Sequence, residues 1–428
     1  MRQTETKNDF KRKLPPFTVY LILEFSTAFT FWLVFTVDLL YHVTVVKLNP
    51  LQMVLVGTIL ELSSFVFEIP TGVLADVKSR RLSVIIGYVV MGIGFIIEGS
   101  LPFFGAIALA QVIWGLGYTF TSGATQAWIA DEVGEKRAGQ AFLRGSQVAK
   151  IGHLVAIPLS TLLGSVSVAL PVVAGGVLMV GLAGFLTLTM TEDGFTPTPP
   201  EERTTWSLML KTIRDARDLT RRQPILLTLL GIMFFYGLYS EGLDRLWTAH
   251  LLGSFAAPLL DRVKPVLWFG AIQAVSLLLS LAATEAVRRR VDANHANGVG
   301  RVLMLDAVGI VVALAGFALT RSFWVAAATY CAIGALRAVV DPLYTTWFNR
   351  RIDDSQVRAT MFSVTSQTNA VGQVVGGPAV GAIGNRSIRA ALLACALLLS
   401  PVVGLYAAVA RRSKTDERKL QTSLIESE

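Results

Sequence analysis

The chain has 428 residues, of which 53% are hydrophobic and only 16% charged, with 38 Lys and Arg against 30 Asp and Glu. Its mean hydropathy is +0.56. A soluble domain is about a quarter charged, so a water-soluble globule is excluded, and the short connections between apolar runs leave no room for a separate catalytic domain. The two cysteines, Cys331 and Cys395, both lie in apolar runs, which excludes a disulfide framework or a Cys-based metal cluster.

Crossing about 30 Å of hydrocarbon takes about 20 apolar residues as a helix. In chain order such stretches occupy residues 17–41, 51–75, 82–100, 103–130, 139–164 and 166–190, then 224–246, 266–286, 302–319, 323–347, 359–384 and 388–410. One side of these twelve spans receives most cations: Lys11 to Lys13, Lys78, Arg80, Arg81, Lys136, Arg137, Lys211 to Arg222, Arg288 to Arg290, Arg350, Arg351, Arg358 and the tail from Arg411. The other side holds Lys47, Arg262, Lys264, Arg321, Arg386 and Arg389. The positive-inside rule then predicts a multi-pass protein of the cytoplasmic membrane with both termini in the cytoplasm. The basic balance is topological and calls for no nucleic-acid partner.

The longest loop joins Pro197, Pro199 and Pro200 to a charged segment in which Lys211, Arg214, Arg217 and Arg221 recur at helical spacing. It reads either as a cationic helix along the inner leaflet or as a solvated linker. Four segments follow: a first six-span bundle (1–190), a cytoplasmic linker (191–223), a second bundle (224–410) and a cytoplasmic tail (411–428). Ser146-Gln147 and Gly152 match Ser366-Gln367 and Gly372 as S-Q-x4-G in the two halves, with Trp128 and Arg137-Ala138 in near register with Trp347 and Arg358-Ala359. Two related bundles with a pathway between them are a recurring transporter plan.

Between spans two and three stands Gly72-Val73-Leu74-Ala75-Asp76-Val77-Lys78-Ser79-Arg80-Arg81. It resembles the G-x-L-a-D-r-x-G-R-[KR] signature of the major facilitator superfamily, with Ser79 where glycine is usual. The resemblance implies an all-α membrane protein whose twelve transmembrane helices form two pseudo-symmetric six-helix bundles. Physically, Gly72 would let two helices approach and Asp76 would pair with Arg80 or Arg81, a clasp able to break as the halves rock; the resemblance adds Asp131 and Arg358 to it. Glu68 to Gly72 and Ser240 to Trp247 resemble the drug:proton antiporter branch, which implies export of amphiphilic compounds. The chain departs from that branch in having only Pro158 in span five, Gly376-Gly377-Pro378 in span eleven, and Gln111 near the usual place of an arginine in span four.

A charge at mid-membrane costs about 2.5–3.5 kcal/mol on insertion scales. Arg337 with Asp341, and Asp244 with Arg245, read as structural ion pairs, while Glu98 and Glu285 lie at span ends and read as solvated. Glu24, Asp38, Glu61 and Glu68 show no cation within a turn. Removal from water favours a carboxylate's neutral form, so these four are the proton-coupling candidates, Glu61 and Asp38 first. Cross-helix pairing with Lys150, Arg144 or Arg337 is the alternative. His153 is a further proton-relay candidate or a packed hydrogen-bonding group; the four histidines lack zinc-site spacing.

Trp32, Phe35, Tyr236 and Tyr239 suit a ring-containing solute and equally a lipid-facing or helix-packing surface, and Gln111, Gln126, Lys150, Gln273 and Asn369 are candidate polar groups for the same cavity. No G-x4-G-K-[ST] loop occurs, so an ion gradient is the expected energy source, with protons the expected ion and no cofactor expected. The expectation is a monomeric, proton-coupled exporter of amphiphilic small molecules working by alternating access, and not an enzyme. A symporter importing a small nutrient and a passive uniporter are the competing readings.

Overall fold

The computed structural model describes residues 14–197, 199, 214, 224–255, 263–290, 296–349 and 355–409, with backbone alone at 224, 225, 296, 297, 355–360 and 363. The first half contains α1 (Pro16–Val46), α2 (Pro50–Val77), α3 (Arg80–Ser100), α4 (Phe104–Val133), α5 (Glu135–Val166) and α6 (Ala169–Thr189). The second contains α7 (Pro224–Gly253), α8 (Pro265–Arg290), α9 (Ala296–Leu319), α10 (Phe323–Asn349), α11 (Ser355–Arg386) and α12 (Ile388–Val409). The described residues form no strand.

Local chemistry sets the helix starts. Pro16 opens α1, where its missing N–H costs nothing. Asn49 and Gln52 form a reciprocal capping box at the start of α2. Ser79, the departure from the glycine pattern, caps α3 by accepting from the Leu82 N–H. The end of α1 is irregular: the α-helix stops at Phe35, a short turn covers Asp38–Tyr41, and a wide π-helical turn covers His42–Val46. Wide turns of this kind often mark functional positions; this one begins at His42, and the short turn before it begins at Asp38.

Eleven helices of the described residues are long and apolar enough to cross a membrane. The remaining long helix, α11, occupies the twelfth span's place but is polar, because Ser366, Gln367, Asn369 and Gln373 face cavities and not lipid.

The packing repeats between halves. In the first, α1 packs on α5 and α6, α2 on α4, and α3 on α4 and α6; in the second, α7 packs on α11 and α12, α8 on α10, and α9 on α10 and α12. The glycines of the S-Q-x4-G repeat explain part of this. A Cβ at Gly152 would collide with the Phe25 carbonyl of α1, and one at Gly372 with the Phe234 carbonyl of α7. Both positions let a helix backbone lie against its neighbour. The halves themselves meet through α2 on α11 and α5 on α8, which are equivalent pairs under the same pseudo-symmetry.

Candidate functional site

The α6 end and the α7 start define a linker end of the molecule, and the opposite end is the far end. The hydrogen bonds between the halves among the described residues gather toward the far end. The Leu51 N–H donates to Asn385 at 3.0 Å, Lys264 donates to the Ser165 carbonyl at 2.6 Å, and Gln273 donates to the Thr36 carbonyl at 2.8 Å. Gly377, Gly381 and Gly384 form a stripe on α11 that lies directly on Val54, Leu51 and Pro50 of α2. The glycine-rich run of span eleven thus seals the far end.

Just beneath this seal is a buried charge cluster. Arg245 Nε of α7 lies 3.4 Å from Glu241 Oε2, with the side chains 16% and 6% exposed. Gly57 of α2 makes room for them, since a Cβ there would strike both side chains. The Arg245 charge also acts on Asp38, His42 and Glu61 of the first half. His42 Nε2 sits 2.8 Å from Glu98 Oε1 and 3.4 Å from Asp38 Oδ1, all three side chains buried. Gln111 donates to both Glu98 oxygens at 3.2 Å, and the Tyr41 hydroxyl donates to the Glu98 carbonyl at 2.9 Å. The donor atoms of Asp38, His42 and Glu98 fall within 4.8 Å of one another; His42 and Glu98 are hydrogen-bonded, while Asp38 Oδ1 lies near the imidazole without a hydrogen-bond partner.

Two cavities have linings on the linker side of the sealing contacts. The larger, about 680 Å³, lies between α7, α10 and α11 and is lined by Tyr236, Tyr239, Asp244, Arg337, Asp341, Tyr344, Phe362, Asn369 and Gln373. The smaller, about 350 Å³, lies between the halves against Glu61, Ser64, Glu68, Tyr118 and Gln367. Ser366 lines both.

Several sequence expectations are corrected by this geometry. Arg337 makes a two-pronged pair with Asp244 across α7 and α10, and not with Asp341, which faces the cavity. Arg245 pairs with Glu241, its neighbour one turn back, in place of Asp244. Glu98 is 1% exposed, not solvated. Asp38 has His42 one turn on, so it does not lack a basic neighbour. Gln111 is buried against Glu98 and not available to a cavity. Phe35 packs with Phe31, Phe95 and Trp114 inside the first bundle, and Gln273 bridges the halves. Gln126 and Lys150 are exposed and line neither cavity above.

Trp32 stacks on His153, ring centroids 3.5 Å apart and planes 8° from parallel. Glu24 is half-buried on α1 beside Tyr20 and Gly145, while Glu68 is exposed to the smaller cavity. Tyr236, Tyr239 and Asn369 line the larger cavity as expected, Asn369 bridging the Met233 carbonyl and Gln373.

At the linker end, Arg80 pairs with Asp131 and donates to the Ala127 carbonyl at 3.3 Å. The Arg81 N–H and the Ser79 hydroxyl donate to Glu192, and Arg81 reaches the Thr187 carbonyl. Asp76 pairs with neither arginine among the described residues, because α4 and the segment after α6 hold both. A Cβ on Gly72 would meet nothing within 4 Å, so no close helix approach depends on it. Arg358 has no described side chain.

Sequence reasoning missed Asp306 of α9, a buried acid in an otherwise apolar run. Its isolation in span nine was the available signal. It also missed the His42–Glu98 link, for which the four-residue step from Asp38 to His42 was the signal.

Residues 20–377 match the family model of the Major Facilitator Superfamily. An uncharacterised MFS-type transporter, YxaM of Bacillus subtilis (strain 168), is 23% identical over 379 residues, covering 87% of this chain and 90% of that protein. The structure resembles the nucleoside transporter NupG at a TM-score of 0.75 and 16% identity, covering 92% of this chain and 99% of that one. An inward-facing bacterial homologue of the lysosomal transporter Spinster aligns at 0.66 and 17% identity, covering 93% and 98%. With twelve long helices in two matched bundles among the described residues, a cavity between them and the family match across most of its length, the chain belongs to the Major Facilitator Superfamily and is a membrane transporter, not an enzyme.

Proposed function

We propose that the protein is a proton-coupled exporter of amphiphilic, ring-containing small molecules, with the linker end in the cytoplasm. One observation carries the coupling. Where the halves meet, Asp38, Glu98 and Glu241 are buried, among the described residues, with one guanidinium, Arg245, and one imidazole, His42. Even with the imidazole charged, three carboxylates face two cations, and an unbalanced buried charge is too costly to keep. A proton restores the balance while the far end is closed. Opening the far end would hydrate the cluster and release it. Protonation thereby becomes linked to which end is open, which is what alternating access with a driving ion requires.

The larger cavity supports the solute class. Three tyrosines and Phe362 supply ring surfaces, while Asn369, Gln373 and Asp341 supply polar contacts, the mixture of an apolar wall with a few placed polar groups that small-molecule sites use. The drug:proton antiporter resemblance of Glu68–Gly72 and Ser240–Trp247 supports export as the direction. Uptake of a polar ring solute, such as the nucleosides for which NupG is named, draws on Asn369 and Gln373 and is the second reading.

The test is transport in reconstituted vesicles of known orientation, with a panel of amphiphilic antibiotics, dyes and nucleosides and the pH gradient set both ways. Accumulation driven by an acidic lumen through inside-out protein supports export by exchange. Accumulation only when solute and protons enter together overturns it in favour of symport, and flux indifferent to the gradient overturns coupling altogether.

A further inference from the structure

The junction cluster leaves one buried acid of the second half unused. Asp306 of α9 is 6% exposed. Its Oδ2 has no hydrogen-bond partner, and no ion pair to it exists among the described residues. A structural acid inside a membrane bundle is expected to be matched by a cation or by donors. The groups facing this one are phenols. Tyr236 and Tyr239 of α7 and Tyr406 of α12 all lie within its electrostatic reach. The hydroxyls of these three tyrosines likewise lack hydrogen-bond partners although they are buried. On α10, Tyr344 is spent on the Leu229 carbonyl at 3.4 Å, and Asp341 adds a further negative charge near Tyr406. Arg301, the cation of α9 itself, is exposed one and a half turns away.

This placement has an outlet. Tyr236 and Tyr406 lie within electrostatic reach of one another, and Tyr236 also forms part of the wall of the larger cavity. Carboxyl, phenols and cavity wall are thus neighbours without hydrogen bonds joining them in this structure, and a hydroxyl that both donates and accepts can pass a proton on when small movements bring such groups together.

We propose that Asp306 is a second proton-binding site of this transporter, loaded from the larger cavity through the Tyr236 hydroxyl. The step is a simple transfer: the cavity supplies a proton to the Tyr236 oxygen, the phenolic proton passes to the Asp306 carboxylate directly or by way of Tyr406, and the reverse order unloads it. The site belongs wholly to the second half, so its occupancy follows access to the cavity and not the parting of the halves.

Infrared difference spectroscopy on the full-length protein in lipid, between acid and alkaline buffer, tests this without any transported solute. The expected result is a carbonyl band of a protonated carboxylic acid that disappears in Asp306→Asn and shifts in frequency in Asp306→Glu. In Tyr236→Phe the band persists, but its appearance after a pH jump slows at least tenfold. A spectrum unchanged by Asp306→Asn overturns the site; should that variant fail to fold, a band unshifted in Asp306→Glu does so. Unslowed loading in Tyr236→Phe overturns the route. Since solute flux is not read, failure here leaves the proposed export standing, and failure of export leaves this site standing.

Discussion

Replacing Arg245 with methionine removes the guanidinium that faces Glu241 while keeping an unbranched, flexible stem. Both partners are nearly enclosed, at 16% and 6% exposure, so solvent screens the pair little. Deleting one member of a buried pair costs about 3–5 kcal/mol, mostly from the charge left behind. Glu241 limits that cost by taking a proton, which places the expected loss near the lower bound, about 3 kcal/mol. The assay is a double-mutant cycle on unfolding in detergent with Arg245→Met, Glu241→Gln and the pair. Glu241→Gln alone should cost less than Arg245→Met, because Asp38 and Glu61 remain within reach of the guanidinium. The double variant should be more stable than Arg245→Met, with an interaction energy of about 2–3 kcal/mol. Additivity within about 0.5 kcal/mol, the behaviour of independent sites, would refute the claim that these groups form one buried electrostatic unit.

Other outcomes follow from packing. Gly152→Leu and Gly372→Leu should each lose stability by about 1–3 kcal/mol or more through overpacking, whereas Gly72→Ala should be silent in the same melts, since its Cβ meets nothing. His153→Phe should keep both stability and transport, because stacking on Trp32 is what the ring does here; loss of pH dependence in that variant alone would restore a relay role. Gln273→Ala with Lys264→Ala removes two bonds that hold the far end shut. Spin labels placed across that end should then report a larger open population than in the unmodified protein.

Much of the architecture was legible because it rests on periodic burial and local chemistry. Span positions, the 220-residue repeat and the cation bias all follow from residues counted along the chain. Side-chain partners were less legible, since they depend on neighbours that spacing does not reveal. Arg337 has Asp341 one turn away, yet a fork-shaped guanidinium gains more from a two-pronged pair with Asp244 on the facing helix. Glu98 sits two residues before its helix ends, where water would ordinarily reach it. The π-helical turn of α1 brings His42 over it instead. In the loop after α2, Arg80 has Asp131 as partner because α4 ends beside it, a long-range fact that leaves Asp76 to other contacts. The polarity of α11 lowered its resemblance to a lipid-facing span for the reason that makes it useful, namely that it lines both cavities.

Proton movement through the junction cluster is the centre of the account, and a pH-sensitive dye sealed inside proteoliposomes reads it most directly. With a solute identified from the panel imposed as the only gradient, the unmodified protein should drive a lumenal pH change opposite in direction to solute flow. Glu241→Gln should move solute down its gradient with that pH change abolished. An equal pH change in Glu241→Gln, or none in the unmodified protein while solute moves, would contradict the account.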